Sequence, residues 1–288
     1  MEQLRIAIPN KGRLSEKIYE LLSNAGLNFP SKSERTLQVT TKDGKYSLIF
    51  VRTQDIPKFV EDEVADIGFT GYDIVTETKA QVDKIMDLDF GQCDMVVAVK
   101  EEDEYSCAAD LPDEIKVATS FPNIAKEYFD KIGKKAKIIE VSGATEITPC
   151  LGLSNVVVDI TSSGSTLKSN KLKVIDKILS STAVVIARKD LSQSQKQSTE
   201  NLLRALESVI AAREKKYLMA HVPKASLEEI KSFLPGLSSP TVMTLMDDDA
   251  NVVIHVVVDA DRVYDSIQHL KSLGGRGILI MTVDQMVR

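Results

Sequence analysis

The chain has 288 residues, of which 43% are hydrophobic and 27% charged, and this length is enough for two or three globular domains. Its formal net charge of −6 argues against broad binding of nucleic acids or membrane surfaces, because both need a basic face. Cys93, Cys107 and Cys150 are far apart in the sequence, which predicts free thiols in a reducing compartment. No apolar run approaches the roughly 18 residues of a membrane-spanning helix. We therefore expect a soluble cytoplasmic protein whose partners include neither nucleic acid nor membrane.

The first part of the chain alternates strand-like and helix-like segments joined by polar loops. The pattern predicts a strand at Leu4–Pro9 and, after a polar turn, a helix with Ser15 as its cap. Further strands are predicted at Tyr46–Val51 and Ala65–Thr70, each followed by a helix. This alternation predicts an α/β fold in which helices flank a sheet.

A second α/β unit is predicted to begin near Asp94. Its most apolar segment, Val156–Val158, is typical of a central strand that is covered on both faces. A long helix over Ser192–Glu214 follows this unit. The remaining predicted elements are a helix at Asn123–Ile132 and strands at Met95–Val99, Ile115–Ala118, Lys137–Val141, Val156–Ile160, Leu172–Ile178 and Ala183–Ala187.

The tail follows a different order of elements. Between Tyr217 and Val283 the patterns predict strand, helix, two strands, helix and strand, which is the ferredoxin-like order βαββαβ. We place a domain boundary near Lys215. Modules of this kind appended to enzymes often bind small regulatory ligands, which is an analogy and not an argument from chemistry.

The strongest local signal for a binding site follows the apolar strand that ends near Asp159. In Thr161-Ser162-Ser163-Gly164-Ser165-Thr166, five of the six residues carry hydroxyl groups, and Gly164 allows a tight backbone turn. Amides and hydroxyls at the start of a helix make a nest for a phosphate group, and the preceding carboxylate could hold a ribose hydroxyl or magnesium. An ordinary Ser/Thr turn with a capping role is the alternative.

Basic residues mark two further candidate loops. Lys11-Gly12-Arg13 follows the first strand, at the end where open α/β sheets usually bind ligands, and Arg52 follows a later strand. Solvated turns with surface cations would give the same pattern. Glu146, in Gly143-Ala144-Thr145-Glu146, is predicted to lie in the first turn of a helix, where it could bind ribose or a metal or only stabilise the helix dipole.

The three histidines, His221, His255 and His269, all lie in the tail. We interpret them as structural residues, with a regulatory site at His221 as the alternative. Because the α/β body contains no histidine, histidine-dependent acyl transfer or proteolysis is disfavoured there.

Several segments resemble the ATP phosphoribosyltransferase family, in the family's order. RIAIPNKGRL begins the chain, and VRTQDIPKFVEDEVADIGFTGYD, LDFGQCDMVVAV and VATSFPN follow it. VSGATEITPCLGLSNVVVDITSSGSTL resembles the family's phosphoribosyl-pyrophosphate motif, and KYLMAHVP, PGLSSPTVMTL and LKSLGGRGILI resemble the tail of its long form. The resemblance covers nearly the whole chain. Two positions depart from it, since Asn155 stands where an aspartate is expected and Phe121 where a tyrosine is common.

The resemblance implies a bilobed catalytic body like that of type II periplasmic binding proteins, followed by an ACT-like domain. Residues 1–92 and 181–214 would form lobe I, residues 93–180 would form lobe II with the phosphoribosyl-pyrophosphate loop, and residues 215–288 would form the ACT-like regulatory domain.

The activity that the resemblance implies is the first step of histidine biosynthesis. N1 of ATP would attack C1 of phosphoribosyl pyrophosphate and displace diphosphate, with Mg²⁺ as the cofactor and histidine as a feedback inhibitor. The family forms homo-oligomers, with dimers and hexamers that exchange with ligand. We assign no residue as a general base.

The family's functional residues carry over to three sets of positions. Phosphoribosyl pyrophosphate is expected at Glu146, Asp159, Thr161, Ser162, Ser163, Gly164, Ser165 and Thr166, with Asp159 and Glu146 as metal ligands. ATP is expected at Lys11, Gly12, Arg13, Arg52 and Asp73. Histidine is expected at His221, Leu237, Ser238, Ser239, Thr241, Gly274 and Gly275.

Two alternatives from other functional classes stay open at this point. A non-catalytic solute-binding protein would share the bilobed architecture but would not need a hydroxyl-rich phosphate loop. A catalytically inactive regulatory subunit would sense an amino acid through its tail, and the intact loops at Lys11–Arg13 and Thr161–Thr166 argue against it.

Overall fold

A computed structural model describes residues 2–30, 36–234, 236, 239–246 and 248–287. The chain divides into two compact units. The larger comprises the chain up to Glu20 together with Asn28–Glu200, and the smaller comprises Leu21–Leu27 together with the chain from Asn201 onward. Among the described helices, none is long and apolar enough to cross a membrane.

Strands and helices alternate through the first three quarters of the chain, as the sequence predicts. In chain order they are β1 (Leu4–Pro9), α1 (Arg13–Asn24), β2 (Gln38–Thr40), β3 (Tyr46–Val51), α2 (Ile56–Glu61), β4 (Ile67–Gly71), α3 (Tyr72–Thr78), β5 (Asp83–Asp87), β6 (Cys93–Lys100), β7 (Ile115–Thr119), α4 (Pro122–Lys131), β8 (Ala136–Glu140), β9 (Val156–Thr161), α5 (Ser165–Ser169), β10 (Leu172–Ser181), β11 (Ala183–Ala187) and α6 (Gln193–Ala212).

The first sheet has the strand order β2-β3-β1-β4-β11-β5. β1 pairs in parallel with both β3 and β4, so the carboxyl ends of these three strands lie at one edge. β11 runs antiparallel to β4 and therefore begins at that same edge. The strands are apolar along their length and buried, with Ile6, Ala7 and Ile8 inaccessible to solvent.

The second sheet has the order β10-β6-β9-β7-β8, in which β7 is parallel to both β8 and β9. The prediction of a central strand at Val156–Val158 is confirmed, because β9 lies in the middle of the sheet and all three valines are fully buried. The chain passes between the two sheets twice, from β5 to β6 and from β10 to β11. We call the region around the first sheet lobe I and that around the second lobe II; the exact lobe limits stay a prediction.

The tail has the predicted ferredoxin-like order. Its elements are β12 (Lys215–Pro223), α7 (Leu227–Phe233), β13 (Thr241–Leu245), β14 (Asp248–Asp259), α8 (Val263–Ser272) and β15 (Arg276–Thr282). The strands form an antiparallel sheet in the order β13-β14-β12-β15. Leu218 and Ile254 on one face of this sheet pack in a core that includes Ile230 of α7 and Leu270 of α8.

Three local predictions were wrong or incomplete. Ser15 does not cap α1, because the helix already begins at Arg13, and the Ser15 hydroxyl instead donates a hydrogen bond to the Pro9 carbonyl oxygen at 2.8 Å. The predicted helix at Glu146 is a single 3₁₀ turn over Thr145–Ile147. A longer helix is disfavoured there because Pro149 follows closely and lacks a backbone N–H. Strands β2 and β5 were not predicted.

The buried carboxylate of Asp66 joins β1, β4 and the start of α6. Its oxygens accept hydrogen bonds from the Arg5 amide at 2.8 Å, from the Arg5 guanidinium at 2.8 and 3.2 Å, and from the Gln195 side chain at 3.1 Å. Arg188 Nε lies 3.2 Å away, and the Asp66 side chain is fully buried. A buried charge of this kind is tolerated only because it is paired and hydrogen-bonded.

We expect Asp66→Asn to lower the free energy of unfolding by about 3 kcal/mol, because Arg5 loses its fully buried ionic partner and Arg188 is left with the exposed Glu63. Urea unfolding of the variant beside the wild type would measure this. Asp62→Asn is the matched control, since Asp62 pairs with Lys58 in solvent, with the two side chains 51% and 62% exposed, and should cost less than about 1 kcal/mol. An equal loss of unfolding free energy in the two variants would contradict the stabilising role of the buried Asp66 carboxylate.

Candidate active site

The hydroxyl-rich loop joins the end of β9 to the short helix α5. Gly164 has a φ of +72°, a left-handed conformation that favours glycine, and its amide donates a hydrogen bond to Thr161 Oγ1 at 2.9 Å. The Ser163 and Ser165 hydroxyls lie 2.9 Å apart. The loop is anchored by buried Leu167, and the predicted phosphate-binding side chains Ser162, Ser163, Ser165 and Thr166 are exposed. This arrangement offers hydroxyl donors to a phosphate group.

Two carboxylates lie beside this loop. Asp159, in β9, is half-buried, and one of its oxygens accepts a hydrogen bond from the Ile160 amide at 2.7 Å. Burial raises the pKa of Asp159 above its ordinary value, hydrogen bonds from the Ile160 amide and the Thr145 side chain oppose this rise, and the negative charge of Glu146 adds a smaller increase. Glu146 is therefore near enough for its charge to act on Asp159.

This carboxylate pair fits a magnesium ion better than a closed protein-ligated metal site. Within the described residues, no group of three His, Cys, Asp or Glu side chains is placed to hold a metal. Mg²⁺ commonly takes only one or two protein carboxylates and completes its shell with water and substrate phosphates. A cation between Asp159 and Glu146 would also offset the electrostatic cost that raises the pKa of Asp159.

The predicted cationic residues lie at the carboxyl edge of the first sheet. The Asn10 amide donates a hydrogen bond to the Val51 carbonyl at 2.8 Å, so the loop that carries Lys11, Gly12 and Arg13 adjoins the strand end that carries Arg52. All four residues are exposed, and Gly12 has a φ of +93°. Because Asn10 is tied to β3, this edge presents three cations in one neighbourhood.

Asp73 lies at the same edge, at the start of α3, but the residue is only 6% exposed. The Ser181 hydroxyl donates a hydrogen bond to Asp73 Oδ1 at 2.7 Å and accepts one from the Asp73 amide at 2.9 Å. A Cβ atom at Gly71 would lie 2.2 Å from the same oxygen. Asp73 therefore ties α3 to the second crossing between the lobes, and its predicted contact with ATP stays a prediction.

A cavity of about 430 Å³ opens where the chain crosses between the lobes. It receives Ser162 from the hydroxyl-rich loop and Tyr72 from the start of α3. Its full lining is Tyr72, Lys84, Asp87, Gln92, Cys93, Asp94, Ser162, Ser180, Ser181 and Thr182. Of these lining residues, only Ser162 was predicted from the sequence to bind a substrate. Tyr72 could have been found from its place between Gly71 and Asp73, whereas Lys84 and Asp87 belong to the unpredicted strand β5.

Two features of the cavity lining bear on chemistry. Lys84 Nζ lies 5.1 Å from the centre of the Tyr72 ring and 2.9 Å from the Asp87 carboxylate, so the wall is polar and charged. Burial raises the pKa of the Cys93 thiol to about 11, which leaves it protonated near neutral pH. The raised pKa therefore disfavours the thiolate form that a nucleophilic Cys93 would need.

Two family models match the chain in succession. The model described as ATP phosphoribosyltransferase matches residues 52–208, and the model of the HisG C-terminal domain matches residues 212–285. The ATP phosphoribosyltransferase of Methanococcoides burtonii is 42% identical over 284 residues, which is 99% of both chains. The enzyme of that name from Methanocaldococcus jannaschii is 42% identical over 99% of this chain and 100% of its own.

The chain belongs to the ATP phosphoribosyltransferase family. Among solved structures, the ATP phosphoribosyl transferase (HisG:HisZ) complex from Thermotoga maritima contains a chain that matches with a TM-score of 0.62 and 31% identity, over 71% of this chain and 99% of that one. A periplasmic sulfonate-binding protein from Methylobacillus flagellatus matches with a TM-score of 0.50 and 14% identity, over 72% of this chain and 67% of its own. The second likeness concerns the fold alone, and it agrees with the predicted binding-protein-like architecture.

The residues predicted to bind histidine do not all come together in this family member. His221 pairs with Arg276 across β12 and β15, so it adjoins Gly275. Thr241 lies two strands from β12, opposite His255 on β14. Gly275 has a structural reason to be glycine, because a Cβ atom there would lie 2.6 Å from the Leu270 carbonyl oxygen. Ser239 is exposed, Gly274 has a φ of +84°, and Leu237 and Ser238 lie outside the described residues.

We expect Asp159→Asn to raise the unfolding temperature at neutral pH by a few degrees, since about 1 kcal/mol shifts it by roughly 2–4 °C in domains of about 150–250 residues. The ionised carboxylate is disfavoured by burial and by Glu146, whereas an amide carries no charge. The difference should vanish as the pH falls through the raised pKa of Asp159, because the wild-type carboxyl is then neutral too. Thermal unfolding followed by circular dichroism at several pH values would measure it.

Asp43→Asn is the control, because the pKa of Asp43 is shifted in the opposite direction to that of Asp159. Hydrogen bonds from the Thr41 hydroxyl and the Lys45 amide lower the pKa of Asp43, so its ionised form is favoured in the fold. That variant should be no more stable than the wild type at neutral pH. A destabilised Asp159→Asn protein would contradict the reading of Asp159 as an electrostatically strained carboxylate.

Proposed function

We propose that this chain transfers the 5-phosphoribosyl group from phosphoribosyl pyrophosphate to N1 of ATP and releases diphosphate, as the first step of histidine biosynthesis. Family membership over the whole chain supports this activity. The single structural observation that carries it is the exposed hydroxyl-rich loop beside the Asp159–Glu146 pair. The free thiols of Cys93, Cys107 and Cys150 fit a reducing compartment, so we place the reaction in the cytoplasm.

The hydroxyl-rich loop, Thr161–Thr166, would bind the 5-phosphate of phosphoribosyl pyrophosphate. Its exposed hydroxyls and the turn at Gly164 suit three phosphate oxygens. Asp159 and Glu146 would hold the ribose hydroxyls or a magnesium ion. When bound, the ion would supply positive charge to the leaving diphosphate.

ATP would bind at the carboxyl edge of lobe I. Lys11, Arg13 and Arg52 would offset the repulsion between two polyanionic substrates, and Arg52 could bind phosphate oxygens bidentately. The reaction needs the adenine nitrogen and the ribose carbon to be held in line, which is a demand on positioning and not on a protein nucleophile. We therefore propose that no side chain is essential as a general base.

The tail would bind histidine in a polar cavity of about 330 Å³. His221, Asp248, Asn251, Arg276 and Gly277 line it. An amino acid presents a carboxylate and an ammonium group, and Arg276 and Asp248 have the opposite charges. This chemistry supports a site for free histidine, which would act as the feedback inhibitor.

We further propose homo-oligomers, with dimers and hexamers that exchange with ligand. The outer face of the tail sheet supports association, since Met243, Leu279 and Met281 are 54%, 50% and 47% exposed there. The register of β12 with β15 places Leu279 opposite Met219 and Met281 opposite Tyr217 on that face. An exposed apolar face of this kind is typical of an interaction surface.

The proposed activity predicts product formation from ATP and phosphoribosyl pyrophosphate with Mg²⁺. The assay follows ultraviolet absorbance with and without histidine, and a pyrophosphatase removes the released diphosphate. Activity that histidine suppresses is expected. No product from a correctly folded chain would contradict the proposed activity, and activity that histidine leaves unchanged would contradict the regulatory part alone.

Gly164→Val should abolish binding of phosphoribosyl pyrophosphate. A β-branched residue is strained at a φ of +72°, so the loop must change its conformation even though the added Cβ meets no atom within 4 Å. Isothermal titration calorimetry would measure the affinity. Gly133→Val is the control, because Gly133 also has a φ of +72° with no atom within 4 Å of an added Cβ, and it follows α4 in lobe II. Retained affinity in the Gly164 variant would exclude this loop as the phosphate site.

A further inference from the structure

Helix α4 of lobe II begins without a polar cap of its own. The residue before it is Phe121, which is apolar and 6% exposed, and its side chain caps no amide. The first helical residue is Pro122, which has no backbone N–H. The next two amides, of Asn123 and Ile124, are those that a Ser, Thr, Asp or Asn cap ordinarily satisfies. The local sequence provides no such side chain.

Glu77 of α3 in lobe I supplies the missing cap. Its Oε1 accepts a hydrogen bond from the Asn123 amide at 2.9 Å, and its Oε2 accepts one from the Ile124 amide at 3.0 Å. The Asn123 side chain donates in return to the Glu77 carbonyl oxygen at 3.0 Å. A carboxylate is also favoured at this place by the positive end of the helix dipole. Charge-assisted hydrogen bonds from two successive amides fix both the distance and the orientation of the two helices.

Further contacts surround this cap. Ile74, also on α3, is buried in a core cluster that otherwise belongs to lobe II and contains Phe121 and Ile124. Lys79, just after α3, forms an ion pair with Glu127 on α4. The two helices are thus joined by apolar packing, by the cap and by an ion pair.

The α3–α4 contact is linked to both halves of the candidate active site. α3 begins beside Asp73, whose carboxylate is bound by Ser181 at the second crossing. α4 follows the turn in which the Phe121 amide donates to Thr119 Oγ1 at 2.9 Å. Thr119 ends β7, and β7 pairs in parallel with β9, the strand that leads into the hydroxyl-rich loop. The α3–α4 contact thus lies between the elements that lead to the two proposed binding edges.

We propose that Glu77 is a positioning residue. Its carboxylate in lobe I caps α4 in lobe II, and it thereby holds the hydroxyl-rich loop in the correct position relative to the carboxyl edge of the first sheet. In this proposal Glu77 acts through α4 and not by binding a substrate. Each substrate binds to its own lobe, so loss of the cap lowers kcat and leaves the KM values nearly unchanged. The kinetic part of this inference rests on the proposed function, whereas the cap itself does not.

The test compares the full-length wild type with Glu77→Ala and Glu77→Gln. We expect kcat to fall about 10-fold in Glu77→Ala, because loss of a cap shifts a conformational equilibrium by roughly 2- to 30-fold and the equilibrium here is that between aligned and misaligned lobes. Both KM values should stay within about twofold of the wild type, as expected for an interaction that does not bind substrate. Glu77→Gln should retain part of the rate, because its single carbonyl oxygen can still accept one of the two amides.

Hydrogen exchange of the α4 segment gives a readout that does not depend on activity. The amides of Asn123 and Ile124 should exchange faster in Glu77→Ala than in the wild type. Glu20→Ala is the matched control, since Glu20 is an exposed glutamate on a helix of lobe I, and it should change neither kcat nor exchange.

Wild-type kcat in Glu77→Ala would overturn the positioning role. A fall in kcat with wild-type exchange at Asn123 and Ile124 would also overturn it, because the loss would then not pass through the cap. A loss of activity equal to the fraction of unfolded protein, measured by circular dichroism, would reduce Glu77 to a stability role. If the wild-type chain makes no product, the proposed function fails, and the exchange measurement still decides whether Glu77 caps α4.

Discussion

In lobe I, the backbone hydrogen bonds that pair β1 in parallel with β3 and β4 bring three strand ends to one edge of the sheet. The parallel pairing of β7 with β9 does the same in lobe II. Because β11 and β6 run in the opposite sense to their neighbours, both crossings between the lobes also start or end at these edges. The polar loops therefore gather around the crossings, while the strands behind them are apolar and rigid. This is the usual place for a ligand site in an open α/β sheet.

The two edges differ in their charged groups. Lys11, Arg13 and Arg52 give the lobe I edge a positive character within a chain whose net charge is −6. The lobe II edge combines neutral hydroxyls with the carboxylates of Asp159 and Glu146, and burial, with a smaller contribution from the charge of Glu146, raises the pKa of Asp159. A phosphorylated sugar that brings a magnesium ion would offset the negative charge of these carboxylates, whereas an uncharged sugar would not. The charge distribution is thus compatible with the proposed binding of a metal-bound polyanion at lobe II.

Much of the fold could be predicted from the sequence because its signals are local. Val156–Val158 is apolar without interruption, and the alternating patterns of the tail give the observed βαββαβ order. Strands β2 and β5 escaped prediction for a physical reason: β2 has three residues, and β5, Asp83–Asp87, is an edge strand with charged ends. The hydroxyl-rich loop could be found by composition. The bond between Ser181 and Asp73 could not, since it joins residues 108 positions apart.

The cap of α4 could not be predicted from the residues next to the helix. The rules for predicting a helix start look for a capping side chain next to the helix, and at this position they find Phe121 and Pro122. The cap comes from Glu77, 46 residues earlier and in the other lobe. A cap of local origin would stabilise α4 whatever the position of lobe I. A cap from α3 makes the stability of the helix depend on the arrangement of the lobes. Because Phe121 cannot cap α4, the helix is fully hydrogen-bonded at its start only when lobe I holds Glu77 beside it. For a reaction that depends on aligning two bound substrates, such a constraint matters, because a misplacement of about 1 Å can lower the rate roughly a hundredfold.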